Sequence, residues 1–422
     1  MSVLTLVPML EAGPQGPQCY NASEPAATPA HRIAVLTSQK LRPFGTTIFA
    51  EMTRLANEHK AINLAQGFPD FDGPSSYIDA AVNALRSGHN QYARALGAPP
   101  LCEAIAHHVK RISGLEYNPM AEVGVYCGAT EGLMATMLGM LDPGDEVILF
   151  EPFYDSYPVC VAMAQAVPKF CTLRFPDFAV DLDALEKLIT PKTKLLVLNT
   201  PHNPTGKVFS RAELEGIAKL CIKHNVYVLT DEVYEQITYD GAPHVMMASI
   251  PGMRERTMSL SSVGKTFSFT GWKIGWATGP SSMITAALAA HQFITFCSTT
   301  PMQFATAHAL NESPGNGYFE TLRKEYATRR DFLCEVLTEC GLKVAAPKGT
   351  YFVLADFTSL FDGDDVAFTK WLVTEVGVAA IPPSFFYTAD KAEGQKLVRF
   401  AYCKRAETLE AAAERLRKGL KK

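Results

Sequence analysis

Two lysines stand eight residues apart in the run Ser261-Ser262-Val263-Gly264-Lys265-Thr266-Phe267-Ser268-Phe269-Thr270-Gly271-Trp272-Lys273. A lysine amine can form a Schiff base with a carbonyl, shuttle a proton or meet a phosphate. A single lysine is ordinarily a solvated surface residue, so its neighbours decide. Gly264-Lys265-Thr266 invites a nucleotide-phosphate loop, but that motif needs a glycine where Ser259 stands and a helix-forming run afterwards. Neither is there. Three more polar clusters follow apolar, strand-like runs. Gly128-Ala129-Thr130 opens a helical segment, where small residues and free amides suit a phosphate. Asn199-Thr200-Pro201-His202-Asn203-Pro204-Thr205-Gly206 is stiffened by its prolines and can hold an Asn amide in a fixed place. Thr230-Asp231-Glu232-Val233-Tyr234 ends an apolar run on a carboxylate that is costly to bury unless a cation or donor meets it. Tyr234 can turn to the same side as Asp231, while Glu232 is expected to face away and is given no role.

Each fragment alone reads as an ordinary turn. Together they describe one ligand: a phosphate at a helix start, a carboxylate, a phenol, an amide and a lysine at neighbouring strand ends fit pyridoxal phosphate. Its chemistry needs a lysine for the Schiff base and an Asp to keep the pyridine nitrogen protonated, so that the ring acts as an electron sink.

These clusters need strands and helices to carry them. Val123–Cys127, Glu146–Phe150, Lys194–Asn199, Val226–Thr230 and Thr257–Ser261 read as buried strands, with helices at Thr130–Leu141 and Arg211–His224. Apolar strands alternating with helices imply an α/β fold whose parallel sheet is covered on both faces. Ligands in such sheets collect at the carboxyl ends of strands, which is where the clusters lie. After Pro314 a long helix (Tyr318–Cys340), a strand (Tyr351–Ala355) and an amphipathic helix (Ala406–Leu420) suggest a second, α+β domain.

Composition removes several classes. The 422 residues carry 39 Lys+Arg against 43 Asp+Glu, a net charge of −4, which gives no electrostatic footprint for nucleic acid or anionic membrane. No apolar stretch approaches the ~18 residues of a membrane span. Ten cysteines include no CxxC and ten histidines no HExxH, so no metal is expected. Scattered thiols suit a reducing, cytoplasmic location. Residues 1–31, rich in Pro, Gly and Ala, read as a mobile arm, with little in their composition to support organelle targeting.

The strings NTPHNPTG, TDEVY and SVGKTFSFTGWKIGW resemble class I aminotransferases of PLP fold type I, over roughly Arg32 to the C-terminus. FGTTIFAEMTRLANEH, INLAQGFPDFDGP, EPFYDSY and LVRFAYCKR narrow the resemblance to kynurenine aminotransferase/glutamine transaminase K. Relatives described as methionine or N-succinyldiaminopimelate aminotransferases share the same strings. The resemblance implies a large domain (78–308) with a mostly parallel seven-stranded sheet covered by helices, and a small α+β domain from 32–77 and 309–422. It further implies a homodimer and ping-pong Schiff-base transfer of an α-amino group to a 2-oxo acid. Lys265 is then the Schiff-base lysine and proton shuttle. Asp231 pairs with the pyridinium nitrogen, while Asn203 and Tyr234 hydrogen-bond the ring hydroxyl. Ala129, Thr130, Ser262 and Lys273 hold the phosphate, joined by Tyr92 from a partner subunit. Tyr154 stacks on the ring, and Arg399 and Gly67 receive the substrate α-carboxylate. Phe49 and Phe296 line the side-chain pocket, with plain core packing as their alternative. The aromatic pocket and the absence of a motif for a second cation favour kynurenine, glutamine, methionine and phenylalanine over aspartate as donors. Two rivals stand beside this reading: a cysteine-conjugate β-lyase using the same site, and a non-catalytic regulator. The arm is too short and too little basic for the DNA-binding domain a regulator carries.

Overall fold

A computed structural model describes residues 37–420, and the expected arm, residues 1–31, lies outside them. Contacts part the chain between Pro43 and Phe44; every element below belongs to the unit that starts at Phe44. Seven strands form one sheet: β1 (Val123–Cys127), β2 (Glu146–Glu151), β3 (Val167–Thr172), β4 (Thr193–Asn199), β5 (Tyr227–Asp231), β6 (Thr257–Ser262) and β7 (Ile274–Thr278). Their spatial order is β1-β7-β6-β5-β4-β2-β3. Neighbours pair in parallel except β7, which runs against both β1 and β6. The sequence reading did not separate β7 from the Ser261–Trp276 cluster. A one-turn helix (Val263–Thr266) and a 3-10 turn (Thr270–Trp272) divide that stretch instead, and the chain then turns back as β7.

Side-chain alternation sorts the sheet into two cores. Val147, Leu149, Leu195, Val197 and Leu229 pack on one face, while Ile148, Phe150, Leu196, Leu198 and Val228 pack on the other. A strand buried on both faces has no polar side, which is why these runs read as continuously apolar. Helix α1 (Ala129–Met140) follows β1 and packs against α3 (Ser281–Ile294), whereas α2 (Arg211–Lys223) lies between β4 and β5 in sequence. Helix α2 starts on a capping box: Ser210 accepts from the Glu213 N–H, and the Glu213 side chain accepts from the Ser210 N–H. A separate three-stranded antiparallel sheet contains β8 (Lys343–Val344), β9 (Phe352–Asp356) and β10 (Leu397–Ala401), in the order β10-β9-β8. Helices α4 (Tyr318–Glu339) and α5 (Ala406–Leu420) supply Leu333, Leu337, Leu409 and Leu416 to its core.

The α1–α3 crossing is close because Gly139 has no side chain: a Cβ there would fall on the Ala286 carbonyl. Gly139→Ala should therefore lose about 1–3 kcal/mol, as overpacked sites do, read as a lower urea midpoint with an unchanged slope.

Candidate active site

Register brings the four clusters to one edge. Asn199 at the end of β4 sits opposite Asp231 at the end of β5, and Asp231 opposite Leu260 of β6. Because β7 is antiparallel, its first residues lie at the same edge as the last residues of β1 and β6: Ile274 faces Cys127, and Gly275 faces Ser262. The return of the chain between β6 and β7 thus carries Lys265 and Lys273 to one place. Lys273 takes a left-handed conformation (φ 55°, ψ 40°) at that return, one that a side chain with Cβ adopts only when its surroundings hold it there.

The edge encloses a cavity of about 310 Å³. Ala129, Thr130, Tyr154, Asn203, Asp231, Tyr234, Ser262, Lys265 and Lys273 line it, as do Gly67, Phe49 and Arg399. Tyr92 and Phe296 do not line this chain's cavity. They are 83% and 48% exposed and meet edge to face, with ring centroids 5.3 Å apart. Sequence reasoning missed Tyr157, Asn199 and Phe352 among the lining residues. Tyr157 stood in the quoted EPFYDSY string and Asn199 at the end of an expected strand, whereas Phe352 gave no signal beyond strand periodicity.

On one side the wall suits an anion. Gly128 (φ 80°) turns the chain into α1, whose first N–H groups have no intrahelical partner. The positive φ favours glycine here, and a Cβ would stand 3.0 Å from the Lys273 ammonium. On another side lies the buried carboxylate of Asp231. Burial raises its pKa above the ordinary range, and the Tyr157 hydroxyl, donating to Oδ2 at 2.8 Å, opposes that rise. Asn199 donates to the Asp231 carbonyl and accepts from the Asn203 N–H, which fixes Asn203 relative to the carboxylate. Glu232 does not line the cavity; its carboxylate accepts from Thr230, Ser259 and His244.

Lys265 is half-buried, and burial lowers its ammonium pKa. Its Nζ lies 6.0 Å and 5.8 Å from the ring centroids of Tyr234 and Tyr351. Arg399 is 1% exposed, and burial pulls its pKa down to about 10. Nη1 donates to Asn203 Oδ1 (3.2 Å) and Nη2 to the Ala65 carbonyl (2.9 Å), while Nε has no partner. Asn203 Oδ1 is therefore the acceptor, which leaves its NH₂ to donate. Phe49, Phe352 and Phe386 surround the guanidinium with centroids 4.2–5.3 Å away. The Leu64–Asp70 segment is stitched beside it: Tyr351 donates to the Gly67 carbonyl, Lys404 to that of Phe68, and Thr408 to Asp70.

A phosphate cradle, a buried carboxylate, a half-dehydrated lysine and an arginine with unused N–H groups match the donor set a pyridoxal phosphate requires. With the sheet described above, they define a PLP fold type I protein. The chain belongs to the class I and II aminotransferase family, whose model matches residues 59–416. That family uses pyridoxal 5'-phosphate. The structure of N-succinyldiaminopimelate aminotransferase from Mycobacterium tuberculosis is 46% identical and superposes with a TM-score of 0.87, covering 90% of this chain and 99% of that one. An Escherichia coli structure with a methionine aminotransferase function is 39% identical with a TM-score of 0.86, over 91% and 99% of the two chains. A kynurenine–oxoglutarate transaminase from Dictyostelium discoideum is 40% identical over 416 residues, covering 90% of this chain and 96% of the relative. No described helix is long and apolar enough to cross a membrane.

The Asp231–Tyr157 pair gives a pH-dependent expectation. Burial raises the carboxyl pKa in the folded state, so stability falls as pH rises from the unfolded value through the folded one. Tyr157 limits that fall. Tyr157→Phe should cost the cofactor-free protein about 1–3 kcal/mol at pH 7, the penalty of an unmet buried acceptor. The cost should shrink below pH ~4, where the carboxyl is protonated in both states. Urea unfolding at the two pH values reads it.

Proposed function

We propose that this aminotransferase moves the α-amino group of an aromatic, sulfur-containing or glutamine-type amino acid to a 2-oxo acid. The supporting observation is the make-up of the cavity. Its cationic lining residues are Lys265, Lys273 and Arg399, each matched to the cofactor or the α-carboxylate, and Phe49, Phe68, Tyr154, Phe269 and Phe352 supply aromatic surface. A donor with a second carboxylate would find no further cation among these lining residues, whereas an aromatic or thioether side chain gains about 0.5–1.5 kcal/mol per ring contact beyond its area.

Ala129, Thr130, Ser262 and Lys273 would hold the cofactor phosphate, Asp231 the pyridine nitrogen, Asn203 and Tyr234 the ring hydroxyl, and Tyr154 the ring face. When bound, pyridoxal phosphate supplies an aldehyde that links to amines and a protonated ring that withdraws electrons from the substrate α-carbon. Asp231 keeps that ring proton in place, and the cation relieves the cost of its own buried charge. Lys265 would be the amine that holds the cofactor aldehyde, and its Nζ would carry the α-proton. Burial lowers its ammonium pKa, which favours the free base over the charged form. Arg399 orients the substrate with its unused N–H groups, and the Gly67 backbone approaches the same carboxylate. The three phenylalanines around Arg399 exclude water, which strengthens that contact. The same residues serve the second half of the transfer, when another oxo acid takes the amino group.

The reading includes a homodimer in which Tyr92 of one subunit reaches the phosphate of the other and Phe296 the side-chain pocket; both are exposed here. It also includes a large domain at 78–308 and a small one from 32–77 and 309–422. In its support, the seven-stranded sheet falls within Val123–Thr278 and the three-stranded sheet within Lys343–Ala401. A second reading, transfer from an N-succinylated diaminopimelate, is favoured by the 46% identical relative. Cysteine-conjugate β-lysis remains a side activity of the same residues.

Purified protein should be yellow and bleach with donor, whereas Lys265→Ala should lose nearly all turnover; wild-type turnover in that variant would overturn the assignment. For the substrate, kcat/KM should be compared for kynurenine, glutamine, methionine, phenylalanine, aspartate and N-succinyl-diaminopimelate with one common oxo acid. The first four are expected to lead. Preference for the succinylated donor would select the second reading, and preference for aspartate would reject the aromatic-pocket argument.

A further inference from the structure

Helix α1 carries a carboxylate that the proposed reaction does not use. Glu131 is the third residue of the helix, directly after Ala129 and Thr130, and its side chain is 8% exposed. A helix start attracts negative charge. Here a carboxylate and a phosphate would compete for the same N–H groups, and like charges in a wall poor in water repel strongly. The structure surrounds Glu131 with donors. His291 Nδ1 lies 2.7 Å from Oε1, Thr295 Oγ1 donates to Oε1 at 2.6 Å, and the Cys127 N–H donates to Oε2.

His291 is fully buried in α3, and its Nε2 lies 2.9 Å from the Ala95 carbonyl oxygen, which can only accept. Nε2 therefore carries a proton. Burial pushes the Glu131 carboxyl up, but the bonds from His291, Thr295 and Cys127 outweigh it and hold the group below its ordinary range. The ring thus bridges the Glu131 carboxylate at Nδ1 and the Ala95 carbonyl at Nε2. The contacts also join three segments: the Cys127–Thr130 turn, the segment of Ala95 that follows Tyr92, and the turn of Thr295 that precedes Phe296.

We propose that Glu131 and His291 form a buried hydrogen-bonded pair that positions the Cys127–Thr130 turn for the cofactor phosphate and ties it to the segments bearing Tyr92 and Phe296. They are positioning residues, since neither lines the cavity. The inference rests on the reading of that turn as the phosphate cradle.

The test is the dissociation constant of pyridoxal phosphate from the full-length protein, measured by dialysis of the yellow holoenzyme against graded cofactor. His291→Gln leaves the carboxylate charged beside the phosphate and should weaken binding about tenfold or more, as an unpaired buried charge does. Glu131→Gln alone removes the charge and should bind nearly as wild type. Adding it to His291→Gln should restore most of the lost affinity, a non-additivity that a merely structural defect would not show. Binding within twofold of wild type in His291→Gln overturns the proposal. So does a double variant weaker than the single one. Lys273→Ala separates the two levels: if it also leaves affinity unchanged, the phosphate-cradle reading itself fails.

Discussion

Asp231 ends its strand with a carboxylate out of reach of water, and an ion there costs several kcal/mol unless a partner answers it (about that order even after relaxation). Much of the active-site edge can be read as a response to that one group. Tyr157 donates to it from the helix Ser156–Met163, which follows β2, Asn199 bonds its backbone carbonyl, and Asn199 in turn holds Asn203. Asn203 then accepts from Arg399, so a chain of hydrogen bonds runs from the pyridine side of the cavity to the carboxylate side. The protein's own donors soften the cost of the buried charge. An apolar substitute would be easier to bury.

Arg399 poses the mirror problem. It is a buried cation whose pKa burial has lowered, held by one amide oxygen and one carbonyl, with Nε left over. Stacked aromatic rings are a suitable surrounding, because a planar and weakly hydrated guanidinium lies against them at lower cost than an ammonium would. The same rings narrow the space beside the guanidinium. The stitched Leu64–Asp70 segment packs against one of them: a Cβ on Gly67 would strike Phe352, and Phe352 also flanks Arg399.

Specificity within the family turns on what lies outside these fixed points. Relatives with N-succinyldiaminopimelate, methionine and kynurenine in their descriptions share 39–46% of their residues with this chain and nearly its whole length. Among the groups outside those fixed points, Phe68, Tyr92 and Phe296 are exposed on this chain.

The linear order of residues fixed the chemistry. Lysine, aspartate and the Gly-Ala-Thr turn could be named because they follow apolar strands, whereas Arg399 was named through the resemblance of LVRFAYCKR; the continuous apolar runs at Glu146–Phe150 and Lys194–Asn199 are a local property of the sequence. The boundaries of β1 and α5 followed for the same reason. What remained hidden depended on pairing across long sequence distances. Strand β7 is short and lies among Gly, Ser, Thr and Phe, so no period marks it. Its antiparallel sense, which alone brings Lys273 beside Gly128, comes from its register with β1 and β6. Tyr157 meets Asp231 across 74 residues and His291 meets Glu131 across 160. A buried charge finds its partner in space, and only the folded sheet decides which partner that is.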